Sequence, residues 1–268
     1  MVLEIFISSI ILGLIILSLL ALKWKISLKV AIISALGIGV ITGFIVNWIF
    51  SANFRFNLLA TIIVEVIFIL ILASIGAMYR FYRDPERKPS EAGNVILAPA
   101  DGKIIYISPI EKDSSLISIK KNKTIQLKEL TETNLLPDAA YMIGIEMNLL
   151  NVHVNRSPMA GKIVMQKHIS GKFLSLGRPE AEVLNERVTT ILDNGVFRIG
   201  VVQIASRLVR QIVSYLKEGD LVSPGQRIGM IRFGSQVDVI ITQPKNLKLN
   251  IKVGDIVKAG YSVIAKYG

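Results

Sequence analysis

Three long apolar runs open the chain. Ile5–Leu22 includes Ser8, Ser9 and Ser18 but no charge, Val30–Phe50 has Asn47 as its one strongly polar residue, and Leu58–Tyr79 carries a single charge, Glu65. At about 1.5 Å per residue, each can cross a hydrocarbon core of roughly 30 Å. The pattern therefore predicts a membrane anchor of about three transmembrane helices over residues 1–79. Glu4 stands where a signal peptide has a basic segment, and no small-x-small site is followed by a soluble chain, so the first run reads as a span. Two readings of Glu65 stand side by side: a helix–helix contact or ion path, and a lone protonated or snorkelling acid.

The pattern then changes. Residues 80–93 form a charged, proline-marked connector that contains Phe81-Tyr82-Arg83-Asp84-Pro85-Glu86-Arg87-Lys88-Pro89, and helix is expected to stop before Pro85. From Asn94, short β-branched runs alternate with Gly, Pro, Asn and Asp turns. The runs are Val95–Leu97, Lys103–Ser108, Tyr141–Glu146, Lys162–Gln166, Val188–Leu192, Val196–Ile204, Gln211–Leu216, Gln226–Ile231 and Val239–Ile241. They predict a mainly β domain over 94–268, with at most short helices near Met147–Asn151 and Pro179–Leu184.

Lys217-Glu218-Gly219-Asp220-Leu221-Val222-Ser223-Pro224-Gly225 recurs as Lys252-Val253-Gly254-Asp255-Ile256-Val257-Lys258-Ala259-Gly260. Each copy leads into a strand, Gln226–Ile231 or Tyr261–Ala265, with Gly-Asp making the turn. Paired hairpins of this kind suit a lipoyl-like barrel-sandwich. The fold class is thus N-terminal transmembrane α-helices followed by a mainly β domain with a lipoyl-like hairpin repeat. Gly234-Ser235 falls in the crossing between the two copies.

Composition narrows the chemistry. The chain has 51% hydrophobic residues and a mean hydropathy of +0.53, with the excess in its first third. It has no Cys, which removes disulfides, thiolate metal sites and Cys nucleophiles, and its two His argue against a His-rich metal site. In a chain with spans, the net charge of +11 points to anionic lipid headgroups. Lys23, Lys25 and Lys29 lie between the first two runs, Arg55 alone between the second and third, and Arg80, Arg83, Arg87 and Lys88 after the third. The positive-inside rule then puts the β domain on the cytoplasmic side of the cell membrane.

A Gly-Ser pair at a strand connection has two readings. In one it is only a tight turn. In the other the Ser235 hydroxyl attacks the Gly234 carbonyl; the ester eliminates to dehydroalanine, which hydrolyses to an N-terminal pyruvoyl group. A connection held at both ends can store the strain such a shift needs. Asp101, in Ala98-Pro99-Ala100-Asp101-Gly102, reads either as an Asp-Gly turn residue or as a carboxylate that orients a His. His153 sits in Asn151-Val152-His153-Val154-Asn155-Arg156-Ser157-Pro158, where Asn155 and Arg156 add donors suited to an anionic headgroup. His168 reads as a strand-end residue. Gly171-Lys172-Phe173 and Asn185-Glu186-Arg187 are mixed-charge loops that either line a site or are solvated turns.

In number and order, Phe81–Arg87 (FYRDPER), Ala98–Gly102 (APADG), Asn151–Pro158 (NVHVNRSP), Gly171–Phe173 (GKF), Asn185–Arg187 (NER), Gln203–Ser206 (QIAS), Lys217–Asp220 (KEGD) and Arg232–Asp238 (RFGSQVD) form a set. It resembles the phosphatidylserine decarboxylase proenzyme family in its short form, which includes the archaetidylserine decarboxylases. The resemblance implies self-cleavage between Gly234 and Ser235, giving a β-chain that ends at Gly234 and an α-chain that starts with Ser235 converted to a pyruvoyl group. That group would form a Schiff base with a serine-headgroup membrane lipid and act as the electron sink for loss of CO2, with no metal.

The resemblance also implies roles. Ser235 would be first nucleophile and then prosthetic group. Asp101 would support maturation, raising the nucleophilicity of Ser235 together with His153 in the logic of a Ser–His–Asp relay. His153 would then protonate the α-carbon, and Arg156, Lys172 and Asn155 would contact the substrate. Longer members carry His-x-x-His in this turn, and Arg156 takes the second position here. Expected partners are the lipid, the two chains of one precursor and, at the level of the family, a homodimer. Nucleic acid is not expected, because interleaved basic and aromatic stretches are lacking. The alternative is a non-cleaving membrane-anchored lipoyl-like binding module; the repeat favours it, but no Lys stands at the crossing tip. Ester- and ether-linked serine lipids share one headgroup, so these residues do not choose between them.

Overall fold

The computed structural model describes residues 2–51, 57–110, 116–118, 124–136, 139–172, 174–175, 181–205, 211–232, 235–242 and 244–268. The chain divides into two compact units, Met1–Tyr82 with Asn148–Leu150, and Arg83–Met147 with Asn151–Gly268.

The apolar runs form three helices, α1 (Val2–Lys23), α2 (Leu28–Ser51) and α3 (Leu58–Tyr82), each long and apolar enough to cross a membrane. Helix α3 stops ahead of Pro85, as the ring of that residue demands. Small residues let α1 and α2 touch. Ser9 and Gly13 on α1 and Ala35, Gly39 and Gly43 on α2 are buried at four-residue spacing. A Cβ on Gly39 would lie 2.7 Å from the Ile10 Cα, so only glycine permits this approach. Glu65 joins α3 to α1, its Oε1 accepting hydrogen bonds from Ser8 Oγ (2.7 Å) and Ser9 Oγ (3.0 Å). Of the two readings of Glu65, the helix–helix contact is the one observed.

The second unit is mainly β. Its largest sheet is antiparallel throughout. The strands run in the order β11 (Leu221–Val222), β7 (Gly161–Ile169), β8 (Arg187–Asp193), β9 (Arg198–Ala205), β13 (Ser235–Thr242), β5 (Ala139–Met147), β2 (Gly102–Pro109) and β15 (Ile256–Val257). One three-stranded sheet is β1 (Val95–Leu97), β16 (Val263–Lys266) and β14 (Lys248–Leu249); another is β10 (Gln211–Ser214), β12 (Arg227–Arg232) and β6 (Val154–Arg156). Strands β3 (Leu116–Ser118) and β4 (Thr124–Gln126) pair with each other.

Alternation along each strand feeds two cores. Val237, Val239 and Ile241 of β13 join Ile104, Ile143, Ile145 and Val201 in one; Ile240 joins Tyr106, Met142, Val202 and Ile204 in the other. Leu130 of α4 (Leu127–Thr131) belongs to the second core, and Val183 of α5 (Ala181–Leu184) packs against it. With both faces covered, β8 is buried from Arg187 to Leu192, a continuous run rather than an alternating one.

The repeat folds twice in the same way. Gly219 N–H donates to Ile163 O and Gly254 N–H to Ile104 O, both at 2.8 Å. Asp220 and Asp255 each accept a backbone N–H, from Lys217 and Lys252, at 2.9 Å. Gly219 (φ 96°) and Gly254 (φ 102°) occupy the left-handed region where glycine costs least. The copies dock on matching partners, Gly161-Lys162-Ile163 and Gly102-Lys103-Ile104, so the internal symmetry extends beyond the repeated stretch.

Two local expectations are corrected. Residues 147–151 are not helical: Met147 ends β5, and the Asn148 side chain accepts the Leu150 N–H at 3.0 Å, capturing the chain in an Asx turn. Strand β9 begins at Arg198 rather than Val196, because Asn194 Oδ1 accepts the N–H groups of Val196 and Phe197 at 2.9 Å each. Helix α5 matches the helix expected to end at Leu184; Pro179 and Glu180 lie outside the described residues.

Candidate active site

Asp101 leads from β1 into β2 and is 4% exposed. Arg87 grips both carboxylate oxygens, Nη1 on Oδ1 and Nη2 on Oδ2 at 2.9 Å. The N–H of Ala259 donates to Oδ1 at 2.8 Å and that of Val152 to Oδ2 at 3.4 Å. The carboxylate therefore joins three segments distant in sequence: the connector, the turn before β15 gives way to β16, and the turn before β6.

His153 follows Val152 directly and is fully buried. Its Nδ1 lies 2.9 Å from Asn151 O. A carbonyl only accepts, so Nδ1 carries the proton and Nε2 is the basic nitrogen. Burial pushes its pKa down to about 4, against the opposing effects of the Asn151 bond and the Asp101 charge. The ring is thus neutral at neutral pH. The carboxylate of Asp101 acts on it through space, and the Asn151 carbonyl, not Asp101, orients it. Ile231 N–H donates to His153 O at 3.2 Å, tying this turn to the end of β12.

Ser235 is the first residue of β13, opposite Met147 of β5 and Ala205 of β9. Gly234, the other residue of the expected cleavage pair, lies outside the described residues, as do Phe173 and Ser206. Two of the loops left open by the sequence meet next to Ala205. Lys172 is exposed and forms a parallel bridge with Asn185. Buried Asn185 clamps Leu174 from both sides, accepting its N–H and donating to its carbonyl at 2.8 Å each, and donates to Ala205 O at 3.0 Å. A Cβ on Gly171 would fall 2.3 Å from the Asn185 carbonyl carbon, which explains glycine there.

Asn155 and Arg156 are buried and make internal bonds. Asn155 Oδ1 accepts from Gln203 Nε2 at 2.7 Å, and its Nδ2 reaches Pro99 O at 3.4 Å. Arg156 donates to Gly225 O (3.1 Å), Asp84 Oδ1 (2.8 Å) and Pro85 O (2.9 Å). It also lines an open cleft with Glu86, Arg87, Tyr215 and Arg227. His168 is exposed and pairs with Glu186 Oε1 at 2.9 Å, as a strand-end residue would.

Arg187 and Gln236 stood out in the sequence only as members of short motifs, with no signal for the contacts they make. Arg187 is buried and donates to Leu130 O (2.8 Å), Glu129 O (3.0 Å), Asn185 O (3.3 Å) and Val183 O, so one guanidinium satisfies carbonyls from both α4 and α5. Directly after Ser235, Gln236 Nε2 donates to Asp238 Oδ1 at 2.7 Å and to Tyr106 Oη at 3.2 Å within the second core. These partners lie 57 and 130 residues apart in sequence, beyond the reach of any local pattern.

A buried carboxylate beside the turn of a neutral buried imidazole, in a mainly β domain that follows three membrane-length helices, fits a membrane-associated enzyme on a β scaffold. The family described as phosphatidylserine decarboxylase matches residues 76–265. A provisionally named archaetidylserine decarboxylase proenzyme of Methanocaldococcus jannaschii is 42% identical over 185 residues, 69% of this chain and 87% of the relative. Another, from Methanothermobacter thermautotrophicus, is 36% identical over 206 residues, covering 74% and 84%. The phosphatidylserine decarboxylase proenzyme of Chlorobium chlorochromatii is 36% identical over 190 residues, covering 70% and 77%. The chain belongs to the phosphatidylserine decarboxylase family, and is a carboxy-lyase.

Proposed function

We propose that this protein is a proenzyme that cuts itself between Gly234 and Ser235 and then decarboxylates a membrane lipid with a phosphoserine headgroup, giving the ethanolamine lipid. In the cut, Ser235 Oγ attacks the Gly234 carbonyl and the Gly234–Ser235 C–N bond breaks, so the acyl group moves to oxygen and the Ser235 nitrogen becomes a free amine. Elimination of the resulting ester leaves Gly234 as a carboxylate and residue 235 as dehydroalanine, whose hydrolysis releases ammonia and leaves a pyruvoyl group. That group supplies the carbonyl that accepts electrons as CO2 departs.

The observation that carries this reading is the strand pairing around the junction. β12 is held by β10 and β6, while β13 is held from Ser235 onward by β5 and β9. Both new ends would stay in place after the cut. The segment after it also contributes β15 to the large sheet and β16 between β1 and β14, so the two chains remain interlocked. A pyruvoyl group at position 235 fits, since it would sit at the anchored start of a central strand and needs no external ligand.

The chain's own residues supply the rest. His153 Nε2 is the proton acceptor of the Ser235 hydroxyl and later the donor to the α-carbon. Asp101 assists through its charge and by holding the Val152 N–H. Exposed Lys172, on the loop clamped beside Ala205, meets the anionic headgroup; Arg156 and Asn155 shape the site while keeping their internal partners. The two hairpin copies suit a lipoyl-like barrel-sandwich core. The spans hold the domain at the cytoplasmic surface, where its basic charge attracts anionic lipid. Phosphatidylserine and archaetidylserine share this headgroup, so either lipid suits the reading.

Intact mass spectrometry tests this. Purified protein should yield a fragment spanning 235–268 that is lighter than encoded by one ammonia and shifted by hydroxylamine. Ser235→Ala should remain one chain, without CO2 release from phosphatidylserine vesicles or their ether-lipid counterparts. Cleavage at this bond in Ser235→Ala, or a single uncut chain in an active preparation, would overturn the proposal.

A further inference from the structure

The charged stretch after α3 reads as a tether from its sequence, yet it is bound into the site. Asp84 pairs with Arg156 of β6 (2.8 Å) and with Arg227 of β12, and Glu86 pairs with Arg227 as well. These are the two strands that flank His153. Arg87 reaches further in. Its side chain is 12% exposed and that of Asp101 6%; besides its two bonds to the carboxylate, Nη1 donates to Ala259 O at 3.0 Å. Asp101 is also the acceptor of the Val152 N–H, one residue before His153.

We propose that Arg87 is a positioning residue of the active site: by holding Asp101 in one rotamer it fixes the turn that carries His153. The planar guanidinium suits this task because it engages both carboxylate oxygens and the neighbouring carbonyl together, which a lysine ammonium does not. Arg87 acts through Asp101. The inference rests on the reading of His153 as the proton-transferring group.

Among the described residues, four charged groups near the turn bear on it. Asp101 and Arg87 lie on one side. Arg156, on the same strand as the turn leads into, is paired with Asp84, and Arg232 at the end of β12 bonds Gln211. Asp101 raises the proton affinity of His153, so removing Arg87 leaves that carboxylate uncompensated and strengthens its effect on the imidazole. A brace that served stability alone would leave the ring's titration where it was.

The chain has two His, so 13C-histidine labelling of the full-length protein in detergent gives two ring signals, and His168→Gln identifies them. The titration is read in uncut Ser235→Ala protein with Arg87 intact or changed to Met or Lys, and the rate of self-cleavage in the same Arg87 variants of the wild-type chain. In Arg87→Met the His153 midpoint should rise by about one pH unit and cleavage should slow at least tenfold. Arg87→Lys, which keeps the charge, should fall between and serves if Arg87→Met does not fold. An unmoved His153 titration in a folded variant, or cleavage at the unaltered rate, overturns the proposal. If the wild-type chain never cleaves but His153 still responds to Arg87, the proposed self-cleavage fails and the coupling stands.

Discussion

His153 offers the sharpest quantitative test. Its pKa falls from 6.5 to about 4 chiefly because a charged imidazole would lose its hydration in a fully buried site. At about 1.36 kcal/mol per pH unit, that gap corresponds to roughly 3 kcal/mol. The sign follows from proton counting. Between pH 6.5 and 4 the unfolded chain binds a proton that the folded chain does not, so stability is full above 6.5, falls as the pH drops through this window, and levels off below about 4. Chemical unfolding of uncut Ser235→Ala protein at a series of pH values, with and without His153→Gln, isolates the effect. The unsubstituted protein should lose roughly 3 kcal/mol more than the His153→Gln protein between pH 7 and 4. The same burial keeps the ring neutral at pH 7, so self-cleavage should hold its rate down to about pH 5. Equal pH slopes in the two proteins, or an imidazole that titrates near 6.5, would refute the reasoning.

Two further tests concern the supports. Asn185→Ala removes three hydrogen bonds, which at about 0.5–1.5 kcal/mol each should cost roughly 3 kcal/mol and free the loop at Leu174; hydrogen exchange there should rise, and unchanged protection would mean the clamp is dispensable. Gly39→Leu places a side chain where even a Cβ lies 2.7 Å from Ile10 Cα, so α1 and α2 must separate, at a cost of about 1–3 kcal/mol. Disulfide trapping between cysteines introduced on the two helices of this cysteine-free chain should become slower, and equal trapping would show that the contact is absent.

The local periods of the chain were enough to determine the three membrane-length helices, the stop of α3 before Pro85, most strands and the twice-used Gly-Asp turn. Each depends on neighbours within a few residues: apolar continuity, a proline ring, side-chain alternation, a glycine at positive φ. Where a short polar side chain captures nearby N–H groups, as Asn148 and Asn194 do, the same local reading erred, because an Asx turn competes with helix and strand on equal terms. The tertiary structure alone decided who pairs with whom. No spacing rule brings Arg87 to both Asp101 and Ala259, 14 and 172 residues away, or Arg187 to the carbonyls of two helices. Buried charge must find partners wherever the chain brings them, and that location is a property of the packed sheets. The sequence thus singled out Ser235, His153 and Asp101 as candidates; the fold assigned the ring's orientation to a carbonyl and Asp101's grip to an arginine from the connector.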